Sequence, residues 1–257
     1  MKICVLGAGK MGSWLTDALC MEHEVAIYDI EKERLRYVFN VQRLTTLEEI
    51  QAFAPELVIN CVTLKYTISV FEKVLPYLPI DCILSDIASV KTGLPEYYEN
   101  TGNPFVSTHP MFGPTFSNLK DLSAHHSIII SESDSLGKAF FEKFFTSLHL
   151  NLHYYTFAQH DETMGYSLSI PFSATLAFAA CMRKQDAPGT TFNKHMDIAK
   201  GLLSEDDYLL TEILLNPHTI NQIGNIQNEL NKLSKLIIDQ NTDGIKEYLN
   251  NARRNTV

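Results

Sequence analysis

Six residues near the start of the chain, Gly7-Ala8-Gly9-Lys10-Met11-Gly12, restrict the fold more than any other segment. They follow a short β-branched run at 2–6 directly and open a helical pattern at 10–21. A GxGxxG run alone is a weak signal, but between a strand and a helix each glycine acquires a physical task. Gly7 permits the tight turn, Gly9 lets backbone amides approach a pyrophosphate, and Gly12 lets the helix pack closely on the strand. The helix N-terminus then favours an anion. Lys10 and Met11 lie in the same loop and join the glycines as cofactor-binding candidates.

The rest of the first half repeats this alternation. Strand patterns fall at 24–28, 57–62, 82–85, 105–108 and 127–130, with helix patterns at 31–38, 67–76 and 134–147 between them. Such an order predicts an α/β fold, a Rossmann-type doubly wound parallel sheet with helices on both faces. Strand signals stop after Tyr155, and helical patterns occupy 157–182, 191–215 and 219–253, with a turn at 185–191. The expected organisation is therefore a dinucleotide-binding domain at 1–152 and an all-helical C-terminal domain at 153–257. Asp29 closes the second strand pattern, 17 residues after Gly12. A carboxylate there accepts hydrogen bonds from the adenosine ribose and repels a 2′-phosphate, so the expected cofactor is NAD.

Composition removes other classes of function. The chain of 257 residues carries 30 acidic and 21 basic side chains, a formal charge of -9, and no basic stripe, which argues against nucleic acid as a partner. Its five cysteines are odd in number and widely spaced, without a CxxC pair, as expected of a reducing cytoplasm. The apolar run at 3–6 is too brief for a signal peptide, and the apolar stretch at 170–182 is too short to span a bilayer. No membrane association is expected, and the location expected is cytoplasmic.

Two further segments stand at the carboxyl ends of strand patterns, where open α/β sheets bind ligands. One is Ser85-Asp86-Ile87-Ala88-Ser89-Val90-Lys91-Thr92 and the other Ser107-Thr108-His109-Pro110-Met111-Phe112-Gly113-Pro114. His109 could accept a hydroxyl proton as hydride leaves a substrate, and Ser89 could fix its tautomer. With the glycine loop and His160-Asp161, these segments resemble the prephenate dehydrogenase family of tyrosine biosynthesis. The resemblance spans most of the chain.

That resemblance implies NAD-dependent oxidative decarboxylation of prephenate to 4-hydroxyphenylpyruvate. His109 would hydrogen-bond the ring hydroxyl, with Ser89 as partner to the histidine and the nicotinamide. A helical domain would cover the substrate and form a homodimer, as the apolar patterns at 157–253, short for an independent core, also suggest. Two departures appear. Where many members have an SHxPH-like segment this chain has Leu168-Ser169-Ile170-Pro171-Phe172, and where they place an arginine for a substrate carboxylate it has Asn193. Lys194 and His195 are the candidate replacement cations. His160-Asp161 reads as a helix cap, and the pair His125-His126 as surface. Arogenate dehydrogenase and a non-catalytic NAD-sensing dimer are the alternatives, and the length leads to the expectation of a monofunctional chain.

Overall fold

The computed structural model describes residues 1–113 and 121–256, so Pro114 of the second segment lies outside the described residues. The chain divides into two compact units, Met1–His160 and Asp161–Val257.

The first unit runs β1 (Lys2–Leu6), α1 (Lys10–Leu19), β2 (Glu24–Tyr28), α2 (Lys32–Leu35), β3 (Gln42–Leu44), α3 (Leu47–Phe53), β4 (Leu57–Asn60), α4 (Thr67–Val74) and β5 (Ile83–Asp86). It continues with α5 (Leu94–Thr101), β6 (Phe105–Pro110), β7 (His126–Ile130), α6 (Ser135–Ser147) and β8 (Asn151–Tyr155), and its end lies within α7 (Phe157–Ser167). The strands form one sheet in the order β3-β2-β1-β4-β5-β6-β7-β8. Chain order reverses beside β1, so its carboxyl end opens into the crevice between diverging connections, the place such sheets bind nucleotides. Near-continuous apolar runs such as Ile3 to Leu6 and Leu57 to Ile59 are fully buried, as strands covered on both faces require. Helix α6 adds Phe141, Phe144 and Phe145 to the same core as Leu15 and Leu19 of α1. Gly137 lets α6 approach the sheet: a Cβ there would stand 2.6 Å from that of Val106.

The sheet is mixed, a correction to the parallel expectation. β6 and β7 run antiparallel, with His109 opposite Ile128, before β8 pairs parallel with β7. Elements β3, α3, α5 and β8 also go beyond the expected set, whereas the helix expected at 31–38 shortens to the single turn of α2.

The second unit comprises α8 (Ser169–Cys181), α9 (Thr190–Leu203), α10 (Asp207–Leu214), α11 (Thr219–Ile238) and α12 (Thr242–Arg254), following the end of α7. Each long helical pattern of the sequence is interrupted. Asp206 caps α10 by accepting from the backbone N–H groups of Tyr208 and Leu209, and Asn241 caps α12 through Gly244. Helix α8 packs against α9 and α11. Ser169 and Thr219 join hydroxyls at 2.6 Å inside the unit. No apolar side chain of α8 or α11 is fully buried in the single chain, and Ile220, Leu230, Ile237 and Ile238 of α11 are exposed. The stretch Phe157–Cys181 is 25 residues long and only 17% buried over its most apolar window, so it is long and apolar enough to cross a membrane by length and composition. That corrects the shorter estimate made from 170–182. His160, Asp161 and Glu162 lie in its first turns.

Candidate active site

The glycine loop meets the requirements of a phosphate cradle. Gly7 adopts φ +97°, the left-handed region that side chains avoid. At Gly12 a Cβ would fall 1.9 Å from the carbonyl oxygen of Gly7, so only glycine lets α1 start this close to β1. Gly9 differs, because a Cβ there would meet nothing within 4 Å and its outer side is open for an approaching ligand. Lys10 is exposed and Met11 half-buried in the first turn of α1.

Beside the loop lies a cavity of about 480 Å³ lined by Gly7, Gly9, Asp29, Glu31, Val62 and Tyr66, among others. That volume falls in the range of ligand sites. Asp29 is buried at its edge. One carboxylate oxygen accepts the Ala8 N–H at 2.7 Å and the other the Glu31 N–H at 2.8 Å, fixing the group relative to the loop. A carboxylate has lone pairs left for ribose hydroxyls after two such bonds. The open cradle and the fixed carboxylate fit a dinucleotide.

His109 stands near the carboxyl end of β6. Its main chain is held by β7, its side chain is 7% exposed, and its Nδ1 lies 3.0 Å from Nε2 of His160, which is fully buried. This corrects the cap assignment for His160-Asp161. The cap of α7 is Thr156, which accepts the Gln159 N–H at 3.1 Å while the Gln159 side chain accepts the Thr156 N–H at 2.9 Å. His160 comes one turn later, free to point inward.

Of the two nitrogens facing each other, one donates and one accepts. If His109 donates from Nδ1, its Nε2 holds a lone pair; if His160 donates, Nε2 of His109 must carry the proton and cannot act as a base. No hydrogen bond to Nε2 of His109 is present among the described residues. Burial, then the neighbouring His160 and Lys91, push the His109 pKa well below the usual histidine range. The imidazole is therefore neutral at pH 7.

The Asp86-to-Lys91 segment acts beneath this pair. Lys91 is wholly buried and donates to Asp86 at 2.6 Å and to the Thr108 carbonyl at 2.8 Å. Tyr98 donates its hydroxyl to the other Asp86 oxygen at 2.8 Å, and the Ala88 N–H binds the first at 3.0 Å. The lysine thus ties the loop after β5 to the residue immediately before His109. Ser89 lies half-buried in that loop and makes no hydrogen bond to His109 among the described residues; His160 holds that position instead. Phe112 packs edge-on against Trp14 of α1, ring centroids 5.5 Å apart, joining the histidine segment to the helix that follows the glycine loop.

Residues 16–142 match the family described as prephenate dehydrogenase, nucleotide-binding domain. The nucleotide-binding domain of this chain belongs to the prephenate dehydrogenase family. Solved structures extend the likeness of fold to the helical unit. A prephenate dehydrogenase of A. aeolicus, crystallised with hydroxyphenyl propionate and NAD+, is similar at 20% identity over 100% of this chain and 97% of that one, with a TM-score of 0.85. An arogenate dehydrogenase of Synechocystis is similar at 19% identity over 100% of both chains, TM-score 0.75. A 3-hydroxyisobutyrate dehydrogenase of Mycobacterium tuberculosis shares 14% identity over 82% of this chain and 90% of its own, TM-score 0.55.

Asn193, Lys194 and His195 are exposed on α9 of the helical unit. His195 bonds the Thr191 carbonyl through Nδ1 at 2.9 Å and packs against Phe178. The pair His125-His126 proves half-buried and exposed respectively, and His126 meets His153 of β8 at 2.9 Å. Three groups were missed by sequence reasoning: His160 as the partner of His109, the buried Lys91-Asp86-Tyr98 network, and Arg34, which lines the nucleotide cavity.

Proposed function

We propose that the chain is an NAD-dependent prephenate dehydrogenase, converting prephenate to 4-hydroxyphenylpyruvate and carbon dioxide in tyrosine biosynthesis. The observation that carries this reading is the buried His109–His160 pair, with Nε2 of His109 unengaged among the described residues, in the unit that carries the glycine cradle. Bound at that cradle, NAD supplies the acceptor for the hydride leaving C4 of the ring. Neutral His109 takes the C4 hydroxyl proton on Nε2 while Nδ1–H donates to His160. The electron pair released as carbon dioxide leaves C1 makes the ring aromatic and reaches the C4 oxygen, which recovers its proton; aromatisation provides the driving force. The protein's task is then orientation and the receipt of one proton.

Gly7, Gly9, Lys10, Met11 and Gly12 would hold the pyrophosphate, Asp29 the adenosine ribose, and Ser89 a place beside the nicotinamide. Lys194 and His195 are proposed to grip a substrate carboxylate in place of the absent arginine. The uncovered apolar sides of α8 and α11 support a homodimer through the helical unit, which light scattering at micromolar concentration tests; a monomer refutes it. A cytoplasmic location is proposed from the five free cysteines.

Steady-state turnover with prephenate and with arogenate is the test of activity. NADH and carbon dioxide formed one for one from prephenate support the reading, and preference for arogenate moves it to the sister substrate. Tight NAD binding without turnover of either would leave the NAD-sensing alternative, which the exposure of Lys194 and His195 and the asparagine at 193 favour.

A further inference from the structure

The charged side chains lining the cavity beside the glycine loop are two carboxylates, Asp29 and Glu31, and two cations, Arg34 and Lys73, of which Arg34 is the one paired with Glu31. The Glu31 backbone N–H is bonded to Asp29, so the start of α2 is registered on the buried carboxylate. From there the Glu31 side chain turns to Arg34 in a two-point pair, accepting from Nε at 2.9 Å and from the terminal nitrogen at 3.0 Å. The Arg34 backbone N–H also bonds the Glu31 carbonyl at 2.9 Å. Asp29, Glu31 and Arg34 together carry one net negative charge.

An arginine at this place is the group suited to bind a ribose 2′-phosphate, which is dianionic near neutral pH. Here one edge of its guanidinium, Nε and a terminal nitrogen, is already engaged by a carboxylate of matching geometry. We propose that Glu31 is a specificity-determining residue that acts by sequestering Arg34: the chain contains a 2′-phosphate receptor held shut by an adjacent carboxylate. The inference rests on the nucleotide assignment above and concerns only the adenosine end of that site. Both side chains are half-exposed or more, so the pair contributes little to stability, and a small energetic preference suffices to keep the receptor shut.

The consequence is an asymmetric double-mutant cycle. Glu31→Gln removes the competing charge and frees Arg34, so affinity for a 2′-phosphorylated ligand rises about ten-fold, the scale of one charge-assisted hydrogen bond. Affinity for the unphosphorylated ligand stays within about three-fold, since Asp29 is untouched. Arg34→Ala alone changes neither affinity by more than about two-fold, because the Arg34 charge is already compensated by its two-point pair with Glu31. In Glu31→Gln/Arg34→Ala the gain disappears.

Calorimetric titration of the full chain with ADP-ribose and with 2′-phospho-ADP-ribose reads these four affinities without turnover. If Glu31→Gln leaves 2′-phospho-ADP-ribose binding unchanged, or if the gain survives in the double variant, the sequestration is refuted. In the latter case removal of charge alone is responsible. If the wild type binds neither ligand, it is the nucleotide assignment itself that falls. Thermal denaturation of each variant confirms that the proteins compared are folded.

Discussion

In the nucleotide-binding unit Asp86, Lys91, Tyr98, His109 and His160 are all buried and each has a partner, whereas in the helical unit the buried polar residues are Ser169 and Thr219 and the charged candidates lie in solvent. The first unit builds its chemistry from groups that are expensive to bury and must therefore be held in one geometry. The second offers Lys194 and His195 on a solvated helix face, together with helices α8 and α11, whose apolar side chains are half-buried or exposed. The contrast teaches where each part of the reaction is specified. On the proposed reading the proton acceptor is preformed in one folded unit, while recognition of substrate charge falls to side chains exposed on α9.

Replacing His109 breaks the comparison most severely. His109→Asn keeps a polar group but removes the base, so kcat should fall about 10²- to 10⁴-fold while NAD affinity, measured separately by titration, is retained. Near-normal kcat in this variant would remove the basis for placing the chemistry in the first unit.

Lys91→Met should reveal the stability invested beneath that site. It leaves Asp86 buried with Tyr98 and the Ala88 N–H but without its cation, at a cost of about 3 to 5 kcal/mol in unfolding free energy by urea denaturation. A loss below about 1 kcal/mol would mean that the pair contributes no more than an exposed one.

Lys194→Ala probes the other unit and should be milder. If Lys194 meets a substrate carboxylate only at a solvated surface, KM for prephenate rises a few-fold with kcat unchanged, the pattern of lost uniform binding. A fall in kcat as large as that of His109→Asn would erase the difference between the two units.

The same contrast determines what the sequence could reveal. The glycine loop, Asp29 and the strands near 2–6, 24–28 and 105–108 were legible because turn chemistry and β-branched runs act locally. Helix α3 carried a local signal too, a capping box in which Thr46 and Glu49 each bond the other's backbone, but its seven residues were too few for a helical period to stand out. The direction of β7 had no such signal. Strand patterns carry no polarity, and the link between β6 and β7 is long enough for either sense. The burial of Lys91 has no local signal, since a lysine is buried only when paired and its partners, Asp86 and Thr108, are brought together by the fold. His160 was visible as a residue but not as a partner, because the histidine it meets lies 51 positions away.

The central claim is that the folded protein holds His109 neutral, with its proton on Nδ1 toward His160 and a bare Nε2. Histidine nitrogen-15 NMR of the wild type, assigned with His109→Asn and followed from pH 8 downward, reads tautomer and titration together. Because the His109 pKa is displaced downward, the neutral form should persist through the usual histidine range near pH 6.5, with protonation and the accompanying loss of kcat setting in only below it. A proton on Nε2 at neutral pH, or ordinary titration near pH 6.5, would contradict the account.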